Sequence, residues 1–244
     1  MEIKMLTFNI HHGRGIDRKL DLNRIAEVIK ESDADLIGLN EVDRCFSRRS
    51  GYIDQLSWLS EKLNMHHAFG ATITFRSKKS GFYGQYGNAL LSRYPIVFQT
   101  NYLYFFNGFF EERALLEADV LIQDQTLKIY VTHLSLSPLR QIKQIEYMLK
   151  KLKETKLPVI VCGDFNMRPG MKPWKKITNI LTDVCHSQYD APCPTFPSLR
   201  PKVQLDYIFV SEHYLIDSVQ FMLKHRISSD HIPIKATLKL IMKD

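Results

Sequence analysis

The sequence predicts an α/β fold in which two mixed β-sheets pack together, flanked by helices. Three observations predict it. Apolar runs of strand length are interspersed with apolar stripes at helical spacing. Several neighbouring strands are separated by hairpin-length turns, which argues against a purely parallel, doubly wound sheet. The strands are numerous enough to favour two packed sheets over one. No linker, low-complexity stretch or internal repeat divides the 244 residues, so residues 1–244 are expected to form a single domain. A hydrophobic fraction of 45% leaves ample material for its core.

The elements follow in order. A first strand is expected over Ile3 to Ile10. Asp21 to Ser32 places Leu22, Ile25, Ala26, Val28 and Ile29 on one face and predicts a helix. Asp35 to Leu39 is a short apolar strand. Asp54 to Leu63 is a second helix, with Leu56, Leu59 and Leu63 aligned. Asn88 to Ser92 predicts a strand stopped by Arg93-Tyr94-Pro95. Ile96 to Phe105, Ala114 to Ile122 and Leu127 to His133 are further strands. The last two are joined as a hairpin through Gln123-Asp124-Gln125-Thr126. Pro138 to Lys153 is a long amphipathic helix with Ile142, Ile145, Met148, Leu149 and Leu152 inward. Residues 159–163 open with four apolar residues and suit a strand covered on both faces. Lys172 to Leu181 predicts a helix, and Leu205 to Val210, Ser218 to Leu223 and Pro233 to Leu240 predict the late strands.

The net charge of +7 suits a polyanionic partner such as nucleic acid, phospholipid or a phosphorylated metabolite. The basic residues are dispersed, so general solubility explains the charge equally well. No apolar run approaches the roughly 18 residues that span a bilayer, and no secretory leader pattern opens the chain. A cytoplasmic monomer is expected. The cysteines at 45, 162, 185 and 193 form no C-x-x-C pair, so a structural zinc site is not expected. They suit a reducing compartment, with Cys185 and Cys193 able to pair if exported.

Polar residues fall where strands end. Asn9 lies near the end of the first strand, Glu41 directly follows the second, and Asn88 opens another. His133 closes its strand, and Asp164 and Asn166 close the next as Gly163-Asp164-Phe165-Asn166. Asp206 sits inside the apolar run Leu205-Asp206-Tyr207-Ile208-Phe209, and Asp230-His231 precedes the last strand. Each alone has a bland explanation, a turn residue or a structural histidine. An ionised Asp206 among apolar neighbours nevertheless needs a partner or a metal. No G-x-S-x-G elbow offers a serine nucleophile. Oxygen donors with few histidines suit Mg²⁺ or Mn²⁺ rather than zinc.

Taken in order, these motifs resemble the endonuclease/exonuclease/phosphatase superfamily, which includes deoxyribonuclease I, apurinic endonucleases, neutral sphingomyelinases and inositol-polyphosphate 5-phosphatases. The Asn9-Ile10-His11-His12-Gly13 start, the Glu41-Val42-Asp43-Arg44 block and the Glu111-Glu112-Arg113 segment resemble its compact bacterial members. The resemblance runs from Leu6 to about Leu238 and implies a four-layer α/β sandwich. It implies a Mg²⁺- or Mn²⁺-dependent phosphoesterase, most simply a phosphodiesterase, in which water attacks in line and no covalent intermediate forms. Glu41 would be the main metal ligand, with Asn9 beside it and Asp230 near. Asp164 would orient or deprotonate the water. Asn166 and His133 would contact phosphate oxygens, and His231, oriented by Asp206, the scissile phosphate. Asn88 would join the phosphate-side network. Arg44 and Arg113 would meet substrate phosphate or pair with nearby acids.

Two departures stand out. Many relatives have Gln where this chain has Asn40, and apurinic endonucleases place an acid near His11 and His12. The absence of an Asp-x-His start disfavours a calcineurin-type metallophosphoesterase. The intact Glu41 and Asp206–His231 elements disfavour a non-enzymatic scaffold. The substrate stays open between nucleic acid, as in a repair-type nuclease, and a lipid or inositol phosphate. The aromatic and basic segments Phe75 to Tyr83 and Tyr102 to Phe110 could stack bases, meet lipid headgroups or belong to the core.

Overall fold

The computed structural model describes residues 1–76, 83–104 and 112–241. The described residues form twelve strands: β1 (Glu2–Asn9), β2 (Leu36–Arg44), β3 (His66–Arg76), β4 (Tyr83–Ser92), β5 (Ile96–Leu103), β6 (Ala114–Ile122), β7 (Gln125–His133), β8 (Val159–Asp164), β9 (Thr182–Asp183), β10 (Asp206–Val210), β11 (Tyr214–Phe221) and β12 (Ile234–Leu240). One six-stranded sheet runs β11-β12-β1-β2-β4-β3 and the other β5-β6-β7-β8-β10-β9. Both are mixed: β1 and β2 are parallel, as are β7 and β8, and the other pairs are antiparallel.

Period-two alternation sorts the side chains into layers. In the first sheet Ile3 and Met5 face the second sheet, while Leu6 and Phe8 face outward. In the second, Ile160, Cys162 and Ile208 face the first sheet, while Val161, Tyr207 and Phe209 face outward. The outward face of the first sheet is covered by α1 (Leu22–Ser32) and α2 (Gln55–Leu63) through Ile25, Val28, Ile29, Leu56 and Leu59. Asp21 and Asp54 cap these helices, each side chain accepting a backbone N–H of the first turn. On the outside of the second sheet lie α3 (Pro138–Leu152) and α4 (Lys172–Thr178), through Ile145, Met148 and Ile177. The order helix, sheet, sheet, helix is the four-layer sandwich expected. Gly38 lets the sheets approach closely, because a Cβ there would collide with Cys162 Sγ.

Several boundaries differ from expectation. The stretch before Asn88 holds an unexpected strand, β3. It is an edge strand whose buried positions Ala68, Gly70 and Thr72 are small or polar, so it carries little hydrophobic signal. Asn88 does not open its strand, since β4 starts at Tyr83. The strand expected over Asp35 to Leu39 continues to Arg44 across an irregularity between Leu39 and Val42, and β11 starts at Tyr214. The helix expected to Leu181 ends at Thr178, and a short α5 (Val184–Tyr189) follows. Cys185 and Cys193 are joined in a disulfide, while Cys45 and Cys162 are free. Most of the segments 75–83 and 102–110 lies outside the described residues. No helix among the described residues is long and apolar enough to cross a membrane.

The topology places the strand-end residues together. The parallel registers align Asn9 with Asn40 and His133 with Asp164. The antiparallel pairing of β10 sets Asp206 opposite Asp164. Because β12 runs antiparallel to β1, with Ile234 opposite Thr7, Asp230 and His231 reach the same end. One edge of the sandwich thus receives the carboxyl ends of β1, β2, β7 and β8 and the starts of β10 and β12.

Candidate active site

The site is built around the Asp164 carboxylate. Asn9 Nδ2 lies 3.1 Å from Asp164 Oδ2 and 3.1 Å from Glu41 Oε1, so one amide links the two acids. His133 Nε2 is 3.5 Å and His231 Nε2 3.7 Å from Asp164 Oδ2. Asp164 Oδ1 accepts the backbone N–H of Asn166 at 2.9 Å. On its far side His231 Nδ1 lies 2.8 Å from Asp206 Oδ2. A carboxylate only accepts, so Nδ1 carries the proton. Asp206 Oδ1 is buried without a hydrogen-bond partner among the described residues. The Phe196 ring, centred 5.0 Å away, covers His231.

Glu41 stands where β2 is irregular, with φ 60, a conformation few non-glycine residues adopt. The irregularity leaves the side chain half-buried and aimed at Asn9 instead of into the sheet. Asn166 also has positive φ. Its Nδ2 donates to Leu134 O at 3.0 Å and lies 3.1 Å from His133 Nε2. The Leu134 carbonyl fixes that atom as the nitrogen, so His133 accepts through Nε2 and holds its proton on Nδ1. Asp230 Oδ1 lies 3.9 Å from His11 Nδ1.

Burial dominates the electrostatics. It pushes the Asp164 carboxyl up, against the opposing pull of His231. It also drives His133 well below its ordinary range, aided by the charges of Arg113 and His231, so His133 is neutral. His231 goes the other way. Burial opposes its charge, but Asp206 and Asp164 outweigh burial and raise it to about 10. An unfolded histidine loses its proton near pH 6.5. The contribution of the bound proton to stability is therefore complete below pH 6.5 and disappears as pH rises from 6.5 through about 10. The urea midpoint is expected to fall over that window more steeply in the wild type than in Asp206→Asn. Equal slopes would refute the assignment.

The structure brings together Asn9, Glu41, His133, Asp164, Asn166, Asp206, Asp230 and His231, with Arg113 close enough to His133 to act on its charge. It does not bring Asn88 or Arg44 into that group. Asn88 is buried at 1% exposure and joins Asn40 Nδ2, at 2.9 Å, to Ala114 O, at 3.0 Å. Arg44 makes a two-nitrogen ion pair with Asp54, not Asp43, and lies over Phe69 beside a cavity shared with His67 and Asn101. Asn40 is the residue sequence reasoning passed over. It donates to Thr132 O at 2.9 Å and accepts Asp164 N–H at 2.8 Å, tying β2 of one sheet to β7 and β8 of the other. In the sequence it stands out only as a departure from the Gln of many relatives.

The model of the Endonuclease/Exonuclease/phosphatase family matches residues 6–231. The chain belongs to that family. Its members are divalent-metal-dependent hydrolases of phosphoester bonds. Among curated proteins, YbhP of Escherichia coli K12 is 26% identical over 250 residues, covering 97% of this chain and 96% of YbhP. An endonuclease/exonuclease/phosphatase structure from Beutenbergia cavernae matches with a TM-score of 0.82 at 23% identity, over 98% of this chain and 72% of that one. The mannosyl-6-phosphatase of Bacteroides thetaiotaomicron matches with a TM-score of 0.75 at 17% identity, over 98% of this chain and all (100%) of the other. These structural likenesses establish the shared fold.

Proposed function

We propose that the protein hydrolyses phosphoester bonds, above all phosphodiesters, using Mg²⁺ or Mn²⁺ held at Glu41. The chain Glu41–Asn9–Asp164, flanked by the Asp206–His231 pair, carries this reading. Two acidic and histidine groups offer themselves to a cation: His11, His12 and Glu41, and Asp164, Asp206 and His231. In the second, the charged imidazole of His231 already answers both carboxylates, and its Nδ1 is committed to Asp206. Glu41 makes no ion pair with Lys or Arg among the described residues, so its charge fits a cation. Asp230 lies beside this group through His11.

A bound divalent cation there supplies Lewis acidity toward a phosphoryl oxygen. The remaining work falls to side chains. Asp164 orients the attacking water and takes its proton, which its raised pKa favours. His231 offers its Nε2 proton to the scissile phosphate while Asp206 holds the ring. Arg113 meets a further phosphate oxygen, and His133, its Nε2 taken up by Asn166, lines the site beside Asp164. Asn9 spaces the two acids. Asn88 acts through Asn40, and Arg44 serves α2 through Asp54 and stays off the phosphate.

Chelation with EDTA is expected to abolish hydrolysis of bis-p-nitrophenyl phosphate, and Mg²⁺ or Mn²⁺ to restore it. The same assay run on abasic DNA, single-stranded DNA, sphingomyelin, phosphoinositides and nucleotides assigns the substrate class. Activity indifferent to chelation, or absent on every phosphoester, would overturn the proposal.

A further inference from the structure

The cation group at Glu41 contains two imidazoles besides oxygen donors. A ligand atom from each of His11, His12 and Glu41 lies within 4.8 Å of the others. Adjacent side chains on an extended chain point to opposite sides. Here three residues in succession have positive φ, His11 at 46, His12 at 46 and Gly13 at 74. That left-handed run is rare for residues other than glycine. It sets the two rings in an edge-on pair with centroids 4.4 Å apart.

The run is tied down on each side. Asn9 Oδ1 accepts the His11 N–H at 3.1 Å. Gln55, fully buried, donates to His12 O at 2.6 Å and accepts the Asp43 N–H at 3.0 Å, two residues beyond Glu41. One glutamine thus fixes the His12 backbone against the strand that carries Glu41. His11 Nδ1 lies 3.1 Å from Arg14 O. A carbonyl only accepts, so the proton sits on Nδ1 and the Nε2 lone pair is left for a ligand. The His12 side chain is 7% exposed, and its ring makes no hydrogen bond among the described residues. Its ring nitrogens are therefore left for a ligand or solvent.

We propose that His11 and His12 complete the Glu41 cation site and bias it toward ions that accept imidazole, Mn²⁺ and Co²⁺, over Mg²⁺. This rests on the reading that Glu41 holds the cation. Mg²⁺ prefers oxygen donors and keeps its waters, whereas imidazole suits first-row transition ions. The two histidines therefore act as selectivity residues, adding imidazole nitrogens to the oxygen donors of Glu41, Asn9 and Asp230.

Binding of Mn²⁺, Co²⁺ and Mg²⁺ is measured by calorimetry on the metal-free protein, with pulsed electron paramagnetic resonance of the Mn²⁺ form. The variants are His11→Asn, His12→Asn and Glu41→Gln. Asn is chosen because it tolerates positive φ, and thermal melts of the metal-free variants confirm folding. The wild type is expected to show imidazole nitrogen coupling to Mn²⁺. Each histidine variant should weaken Mn²⁺ and Co²⁺ binding by roughly tenfold or more, on the scale of losing a metal-site partner, and leave Mg²⁺ affinity nearly unchanged. Absence of nitrogen coupling, or equal losses for Mg²⁺ and Mn²⁺, overturns the proposal. If Glu41→Gln loses all three ions while the histidine variants lose none, the cation site stands and its imidazole ligation falls. If Glu41→Gln binds them as the wild type does, both fall.

Discussion

Glu41→Gln and His231→Ala are each expected to lower hydrolysis of bis-p-nitrophenyl phosphate by about 10³-fold or more. Glutamine preserves the shape of Glu41 and can still accept from Asn9 through its amide oxygen, so the fold is expected to survive. What disappears is the negative charge. His231→Ala removes the proton donor and strands Asp206, which is 1% exposed and whose second oxygen already lacks a partner among the described residues. Breaking a buried charge pair costs about 3–5 kcal/mol, so activity must be normalised to folded protein. The two losses should not add, because both groups serve one transition state. A double variant is expected within about tenfold of the worse single one. Full activity in Glu41→Gln would move the cation to the Asp164 group.

The strand-end residues were legible because an acid or amide in an apolar run stands out, and order along the chain carried the rest. Asp164 and Asp206 are paired opposites in β8 and β10, a relation their shared flanks of apolar residues foreshadow. Asn40 was not legible in the same way. Its hydrogen bond to Asp164 spans 124 positions, and nothing local distinguishes a clamp between sheets from a conservative replacement of Gln. Asn88 misled for the same reason, since the strand around it extends five residues further toward the N-terminus and encloses it. Arg44 was expected to meet substrate phosphate or to pair with a nearby acid. The fold gave Asp43 to Arg49 and turned Arg44 to Asp54 at the start of α2. His11 and His12 were noted as a departure from an acidic pattern, but a left-handed backbone that converges two neighbours has no signature in composition or periodicity.

Gly163→Ala is expected to destabilise the protein by about 3 kcal/mol or more, combining backbone strain with overpacking. Gly163 has φ +136, and an added Cβ would run into the Thr132 carbonyl oxygen. That carbonyl is backbone in the neighbouring parallel strand and also accepts from Asn40, so it has no room to yield. Relief would require β7 and β8 to part at the point where Asp164 is presented. Gly170→Ala separates the two causes. Its φ is +82, with nothing within 4 Å of the added Cβ, so it bears strain alone, about 1 kcal/mol. Urea midpoints of the two variants should differ by the cost of the collision. Activity should follow: Gly163→Ala, where it folds, should lose turnover through a displaced Asp164, and Gly170→Ala should keep it. Equal destabilisation of the two variants would mean that β7 and β8 separate freely, and that the spacing of His133 and Asp164 is not set by this glycine.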